Sequence, residues 1–203
     1  LFRSELGGFV GLWAADQTVS DDRLLSCGRP LPDKEVRVLD DDGQEVAQGR
    51  LGELCLRGGF MTGYWERPDK TADTLRGGWL HTGDVGFVDQ EGFVFMRGRL
   101  SERLTIAGEH WYPRDVEEVL MRDATVREAA LIGVPDPTLG QRPVAFVTAR
   151  DGHAPDTRHL LEFVMDGLGR PVPSLTVKVV ASMPMTPTGK ISKAQLLDQE
   201  LGR

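Results

Sequence analysis

The chain's 203 residues include 24 Lys and Arg against 31 Asp and Glu, a formal net charge of −7, and its 40% apolar and 27% charged content is that of a globular chain long enough for one domain or two small ones. The acidic balance argues against a general binder of nucleic acid or of anionic membranes. No apolar run approaches the roughly 20 residues of a bilayer span, and Cys27 and Cys55 alone imply no disulfide framework and a reducing compartment.

Leu1-Phe2-Arg3-Ser4-Glu5 opens the sequence without an initiator Met or a signal-like segment, as if the chain were entered mid-protein. The first half reads as β-rich. Glu35 to Leu39 alternates, Asp40-Asp41-Asp42-Gly43 reads as a hairpin turn, and Gly52 to Gly58 alternates again. The three aspartates lack the alternate spacing and closing Glu of a calcium loop. Pro68 and Thr71 suit the start of a helix, and a second hairpin is expected from Val85 to Met96, turning at Asp89 to Gly92. In the second half, Pro113 to about Arg122 has helical spacing with Pro at its first position. Ala129 to Val134 and Pro143 to Ala149 read as strands, and Asp156 to Leu168 as a helix ending at Gly167 and Gly169. Leu175 to Val180 then reads as a strand and Ser192 to Leu201 as a short helix. The interleaving lacks regular βαβ spacing, so the class is α+β, with a change of pattern near Gly98-Arg99.

Four segments have chemical content. Trp79-Leu80-His81-Thr82-Gly83-Asp84 would place a carboxylate where the backbone turns after a strand, suited either to the vicinal hydroxyls of a ribose or to closing its own turn. Gly63-Tyr64-Trp65 with Pro68 reads as a turn. Arg99 after Gly98 suits phosphate or ribose recognition, or is simply solvated. Lys190, in Pro184-Met185-Thr186-Pro187-Thr188-Gly189-Lys190, suits a phosphate or is an ordinary surface lysine; Pro184 and Ile191 exclude a P-loop. The histidines and cysteines have no metal-ligand spacing.

Taken in order, Gly52-Glu53-Leu54, Gly63-Tyr64-Trp65, Trp79 through Asp84, Gly98-Arg99, Gly108 through Glu117 and Pro184 through Lys190 resemble the carboxyl-terminal portion of the adenylate-forming enzymes: acyl-CoA synthetases, adenylation domains and luciferases. The resemblance implies that residues 1–97 form a β-rich, distorted-barrel end of the large domain. Residues 98–203 would then be a small mobile α+β domain, swinging about a hinge near Ser101. It implies that Asp84 binds the ribose hydroxyls of ATP and of the acyl-adenylate, that Arg99 contacts the nucleotide, and that Lys190 bridges substrate carboxylate and α-phosphate. Gly108 would leave room for a pantetheine thiol, and Glu5 would be a carboxylate associated with Mg²⁺.

The implied activity is ATP-dependent conversion of a carboxylic acid, fatty or other acyl, to acyl-AMP and then to acyl-CoA, in the cytoplasm. Implied partners are the acid, CoA or a carrier-protein phosphopantetheine, and the amino-terminal part of the same enzyme, without which the fragment would be inactive. An acyl-AMP ligase that loads a carrier protein and a non-catalytic nucleotide- or partner-binding module are the alternatives. The sequence departs from the family at Ser101, where Asp or Lys is usual, at Ala107 and His110, and at Leu1-Phe2-Arg3, where only Ser4 and Glu5 keep the amino-terminal motif.

Overall fold

Strands dominate the computed structural model, which describes residues 10–11, 26–59 and 61–203. The chain divides after Ser101 into two units, 1–101 and 102–203. In the first, β1 (Val10–Gly11) pairs with β2 (Arg29–Pro30). A five-stranded antiparallel sheet contains β3 (Glu35–Leu39), β4 (Gly52–Arg57), β5 (Leu75–Arg76), β6 (Trp79–Val88) and β7 (Val94–Arg99). Its order is β3-β4-β6-β5, and β7 also pairs with β6 in this curled half-barrel. A short helix, α1 (Pro68–Thr74), starts on its proline and leads into β5.

Turn chemistry explains the connections. The Asp40 carboxylate accepts the N–H groups of Asp42 and Gln44, so the aspartate run serves a turn. That turn returns only to an isolated bridge, Leu39 with Glu45, and the chain loops again before β4; the expected hairpin is therefore wider than its Asp-Gly step suggests. Between β6 and β7, the Asp89 carboxylate accepts from Glu91 and Phe93, with Gly92 at φ +85°. Because strand side chains alternate, Val38, Leu54, Leu56, Leu80 and Val94 pack together on one face of the sheet. Glu53 and Cys55, set two residues apart, share the other face with His81, which stands opposite Cys55.

A 3₁₀ turn (Leu100–Glu102) crosses the division between the units. The second unit comprises β8 (Leu104–Ile106), β9 (Glu109–Trp111), α2 (Pro113–Arg122), β10 (Val126–Asp136), β11 (Gly140–Ala149), α3 (Thr157–Leu168), β12 (Thr176–Val179) and α4 (Lys193–Glu200). Its sheet runs β10-β11-β8-β9, antiparallel, with β12 added parallel to β11. Alternation splits β10 and β11 between two cores. Ala129, Leu131, Ala145 and Val147 meet Val116, Val119 and Leu120 of α2 and Leu160 and Val164 of α3. Ala130, Ile132, Val144 and Phe146 meet Met183 and Leu196, the latter from α4. The two strands thus sit between helical layers, which is why their sequences are continuously apolar.

Asp156 caps α3 by accepting from Arg158 and His159, and Gly169 ends it at φ +68°. Gly167 has a different task from the helix end expected of it. A Cβ there would lie 2.5 Å from Val119 Cγ1, so the glycine permits the close approach of α3 to α2. No helix among the described residues is long and apolar enough to cross a membrane.

Buried Asp123, just after α2, accepts from the hydroxyl and backbone N–H of Thr125 and faces His159 Nε2 at 2.9 Å. The Thr125 hydroxyl, the Thr125 N–H and His159 hold its carboxyl below the usual range, against the opposing effect of burial. Its folded value lies below its unfolded one. Its contribution to stability is therefore complete above the unfolded value, about 3.9, and is lost as pH falls through the folded value. Replacing Asp123 with Ala, which strands the Thr125 donors, is expected to cost about 1–3 kcal/mol at pH 7, and the cost should shrink as pH is lowered below about 3.9, as read by denaturant melts across that range.

Candidate functional site

The site begins with a mismatch between two strands. From Glu53 to Cys55, β4 advances two residues, while its partner β6 passes from Val85 to His81, four residues away. Thr82, Gly83 and Asp84 therefore bulge from the ladder, with Gly83 at φ +70°. The bulge leaves backbone groups without strand partners, and nearby side chains satisfy them. The Gly83 N–H donates to Glu53 Oε1 at 3.0 Å. The Thr82 hydroxyl donates to the Leu54 carbonyl at 2.7 Å and accepts the Asp84 N–H at 3.0 Å. The other Glu53 oxygen lies 2.7 Å from His81 Nδ1 and 3.5 Å from Arg76 Nη2.

On the other side of β6, Asp84 is in register with Arg99 of β7, whose Nε is 2.8 Å from Asp84 Oδ1. The Asp84 side chain is 3% exposed and that of Arg99 57%. A buried carboxylate thus meets a guanidinium that still reaches solvent. Together with Tyr64, Lys70, Glu53 and His81 they line an open cavity of about 530 Å³, within the size range of small-molecule sites. Lysine and arginine side chains at its edge suit an anionic ligand; the recessed carboxylate suits a hydroxylic one.

These positions correct two expectations. Asp84 does not sit at a turn beyond a strand: the Trp79–Asp84 segment is itself strand, and the bulge re-aims the carboxylate within it. Arg99 is the last residue of β7, paired across the sheet within the first unit, whereas the boundary expected at 97/98 would place it in the second. The structure brings Asp84 and Arg99 together.

Gly108 and Lys190 belong to the second unit. Ala107 and Gly108, at φ +51° and +82°, form the two-residue turn between β8 and β9, a hairpin the sequence reading missed. A Cβ on Gly108 would meet nothing within 4 Å, so within this unit the glycine is required by its dihedral and not by crowding. Lys190 follows a tight loop closed by a bridge between Met185 and Ile191. The Gly189 N–H donates to the Thr186 carbonyl at 2.9 Å, and the Lys190 N–H to the Thr186 hydroxyl at 3.1 Å. The loop fixes the Lys190 backbone while its side chain is exposed. Ser101 is an exposed residue of the 3₁₀ turn. Glu5 lies outside the described residues.

Glu53 and His81 are the site residues that sequence reasoning passed over. The signal available was an acid set between apolar residues in a strand, on the same face as Cys55. Glu53, Cys55 and His81 bring their ligand atoms within 4.8 Å of one another. Sulfur and imidazole donors suit zinc better than magnesium. Yet both Glu53 oxygens are already engaged, and burial followed by the Glu53 charge pushes the Cys55 thiol up to about 12, so it stays protonated. The trio is a hydrogen-bonded support for the bulge. Among the described residues it is the one group of three or more such side chains close enough to share a metal ion.

Two family models match the chain: "AMP-binding enzyme" over residues 4–65 and "AMP-binding enzyme C-terminal domain" over residues 115–190. A fatty acid–[acyl-carrier-protein] ligase of Streptomyces coeruleorubidus, ScoC, is 39% identical over 180 residues, 88% of this chain and 35% of that protein. A long-chain-fatty-acid–CoA ligase of Escherichia coli O157:H7 is 38% identical over 88% of this chain and 32% of its own length. Among solved structures, the amide bond synthetase McbA of Marinactinospora thermotolerans superposes with a TM-score of 0.81 at 41% identity, covering 91% of this chain and 38% of McbA. The chain spans about a third of the length of the curated relatives it matches. Two matched models in sequence order and a shared fold carry one conclusion: the chain belongs to the AMP-binding, adenylate-forming family of enzymes.

Proposed function

We propose that the protein of which this chain is a part activates a carboxylic acid at the expense of ATP, giving an acyl-adenylate and pyrophosphate, and then passes the acyl group to a thiol with release of AMP. The observation that carries this reading is the Asp84–Arg99 pair, set by a β-bulge over an open cavity. Asp84 accepts hydrogen bonds from the ribose hydroxyls, and Arg99 neutralises it and borders the nucleotide. Lys190 supplies an ammonium between the acid's carboxylate and the α-phosphate. Two anions must approach each other there, and a positioned cation stabilises the charge that builds on the transferring oxygens. The exposed Lys190 side chain on a closed loop supports this role. Rotation about Ser101 would exchange the Lys190 loop for the Gly108 turn, so that one small domain serves both half-reactions. Magnesium, with Glu5 as a ligand, would neutralise the departing pyrophosphate.

The names of the relatives bear on the acceptor. One is a CoA ligase and another loads an acyl-carrier protein. We take CoA as the acceptor of a fatty or other acyl group, with a carrier-protein phosphopantetheine as the alternative. The test is AMP release by the full natural protein from ATP and a panel of acids, with CoA, carrier protein or neither. Release that needs the acid and rises with CoA supports the reading, whereas release driven only by the carrier supports the alternative. A protein that binds no ATP is the non-catalytic module.

A further inference from the structure

The bulge that presents Asp84 does not hold itself. Its central N–H, on Gly83, is bonded by a side chain from the neighbouring strand, and that side chain is a buried acid. Burying a carboxylate is costly unless it is bonded, and an apolar residue at position 53 would fill the same face at lower cost. Such a residue could not hold the bulge. Glu53 uses both oxygens, one on the Gly83 N–H at 3.0 Å and the other against His81 Nδ1 at 2.7 Å. It therefore grips β6 on both sides of Thr82, while the Thr82 hydroxyl ties the same segment to Leu54 and to the Asp84 N–H. Asp84 is the next residue along.

We propose that Glu53 is a positioning residue for nucleotide binding: by clamping the Gly83 N–H and His81 it fixes the bulge in the conformation that aims the Asp84 carboxylate at the ribose. This rests on the assignment of Asp84 to the ribose hydroxyls. Glu53 acts through Asp84 and touches the nucleotide by no contact of its own in this scheme. A glutamine at 53 keeps one oxygen to accept the Gly83 N–H and offers an amide to an unprotonated His81 Nδ1, so it preserves the clamp. An alanine removes it.

The experiment compares ATP with 2′,3′-dideoxy-ATP, which lacks both ribose hydroxyls, in wild type, Glu53→Ala, Glu53→Gln and Asp84→Ala forms of the full natural protein. KM for nucleotide and for acid is read from acid-dependent pyrophosphate release, and thermal melts check folding. Glu53→Ala is expected to raise KM for ATP about 10- to 100-fold, the cost of a misplaced contact, with KM for the acid unchanged. The same substitution should leave KM for the dideoxy nucleotide near the wild-type value, and Glu53→Gln should restore ATP binding. A loss that is equal for both nucleotides, or that reaches the acid as well, makes Glu53 a general structural residue and overturns the proposal. If Asp84→Ala abolishes the preference for ATP over its dideoxy analogue while Glu53→Ala retains it, the positioning role alone is wrong. If wild type itself shows no such preference, the ribose assignment of Asp84 fails and the proposal with it.

Discussion

Substitution of Lys190 by alanine is expected to lower acid-dependent exchange of pyrophosphate into ATP by at least about 10²- to 10³-fold, the cost of removing one well-placed charge donor at a reacting centre. Thioester formation from a supplied acyl-adenylate should survive with little change. The asymmetry follows from where charge develops. In adenylation, a carboxylate and a triphosphate approach each other and negative charge builds on the phosphoryl oxygens, so a single ammonium matters greatly. On the proposed reading the second half-reaction starts from an adenylate already made, and Lys190 would have no part in stabilising the departing AMP. The fold makes the substitution clean. Lys190 is exposed, and its loop is closed by the carbonyl and hydroxyl of Thr186 accepting the backbone N–H groups of Gly189 and Lys190, all of which alanine leaves in place. Stability should therefore be unchanged, and exchange at the wild-type rate would remove Lys190 from the chemistry.

Loss of Asp84 should have the second largest effect, and of a different kind. Asp84→Ala is expected to weaken ATP by about 10²-fold or more, since each hydrogen bond to a charged acceptor is worth roughly 1.5–3 kcal/mol. The change should appear in KM for ATP, and in the affinity for AMP measured by calorimetry, more than in KM for the acid. Asp84→Asn keeps an acceptor oxygen but loses the charge facing Arg99 at 2.8 Å, so an intermediate loss is predicted. An alanine variant that binds AMP as tightly as wild type would show that the ribose is held elsewhere.

Much of the scaffold was legible because local physics and tertiary demand agree. Pro113 at the first turn and Val116, Val119 and Leu120 at helical spacing specify α2, and the Asp156 cap with Gly169 beyond Leu168 specifies α3. Strands β10 and β11 were found in their apolar centres and underestimated at their ends. Glu128, Gln141 and Arg142 are polar, yet each is paired in the ladder, opposite Thr148, Pro135 and Val134, and Arg127 falls at the irregularity beside Val126.

What was not legible depends on pairing. Nothing local shows that β6 gains two residues against β4, so Trp79 to Asp84 read as a strand followed by a turn, when it is a strand with a bulge inside it. The hairpin at Ala107-Gly108 was hidden because alanine is an unfavourable residue at positive φ, and the turn forms in spite of it. The identities of Asp84, Arg99 and Lys190 as candidates came from motif order. That Asp84 and Arg99 meet across two strands, and that Glu53 supports the bulge between them, came only from register.

If the Asp84, Arg99 and Lys190 positions belong to an adenylate-forming site, the full natural protein, given ATP, labelled pyrophosphate and a panel of carboxylic acids, should incorporate label into ATP only when a suitable acid is present. Exchange of that kind requires a reversible acyl-adenylate. Absence of acid-dependent exchange across the panel, from a protein that binds ATP, would mean that the protein forms no acyl-adenylate.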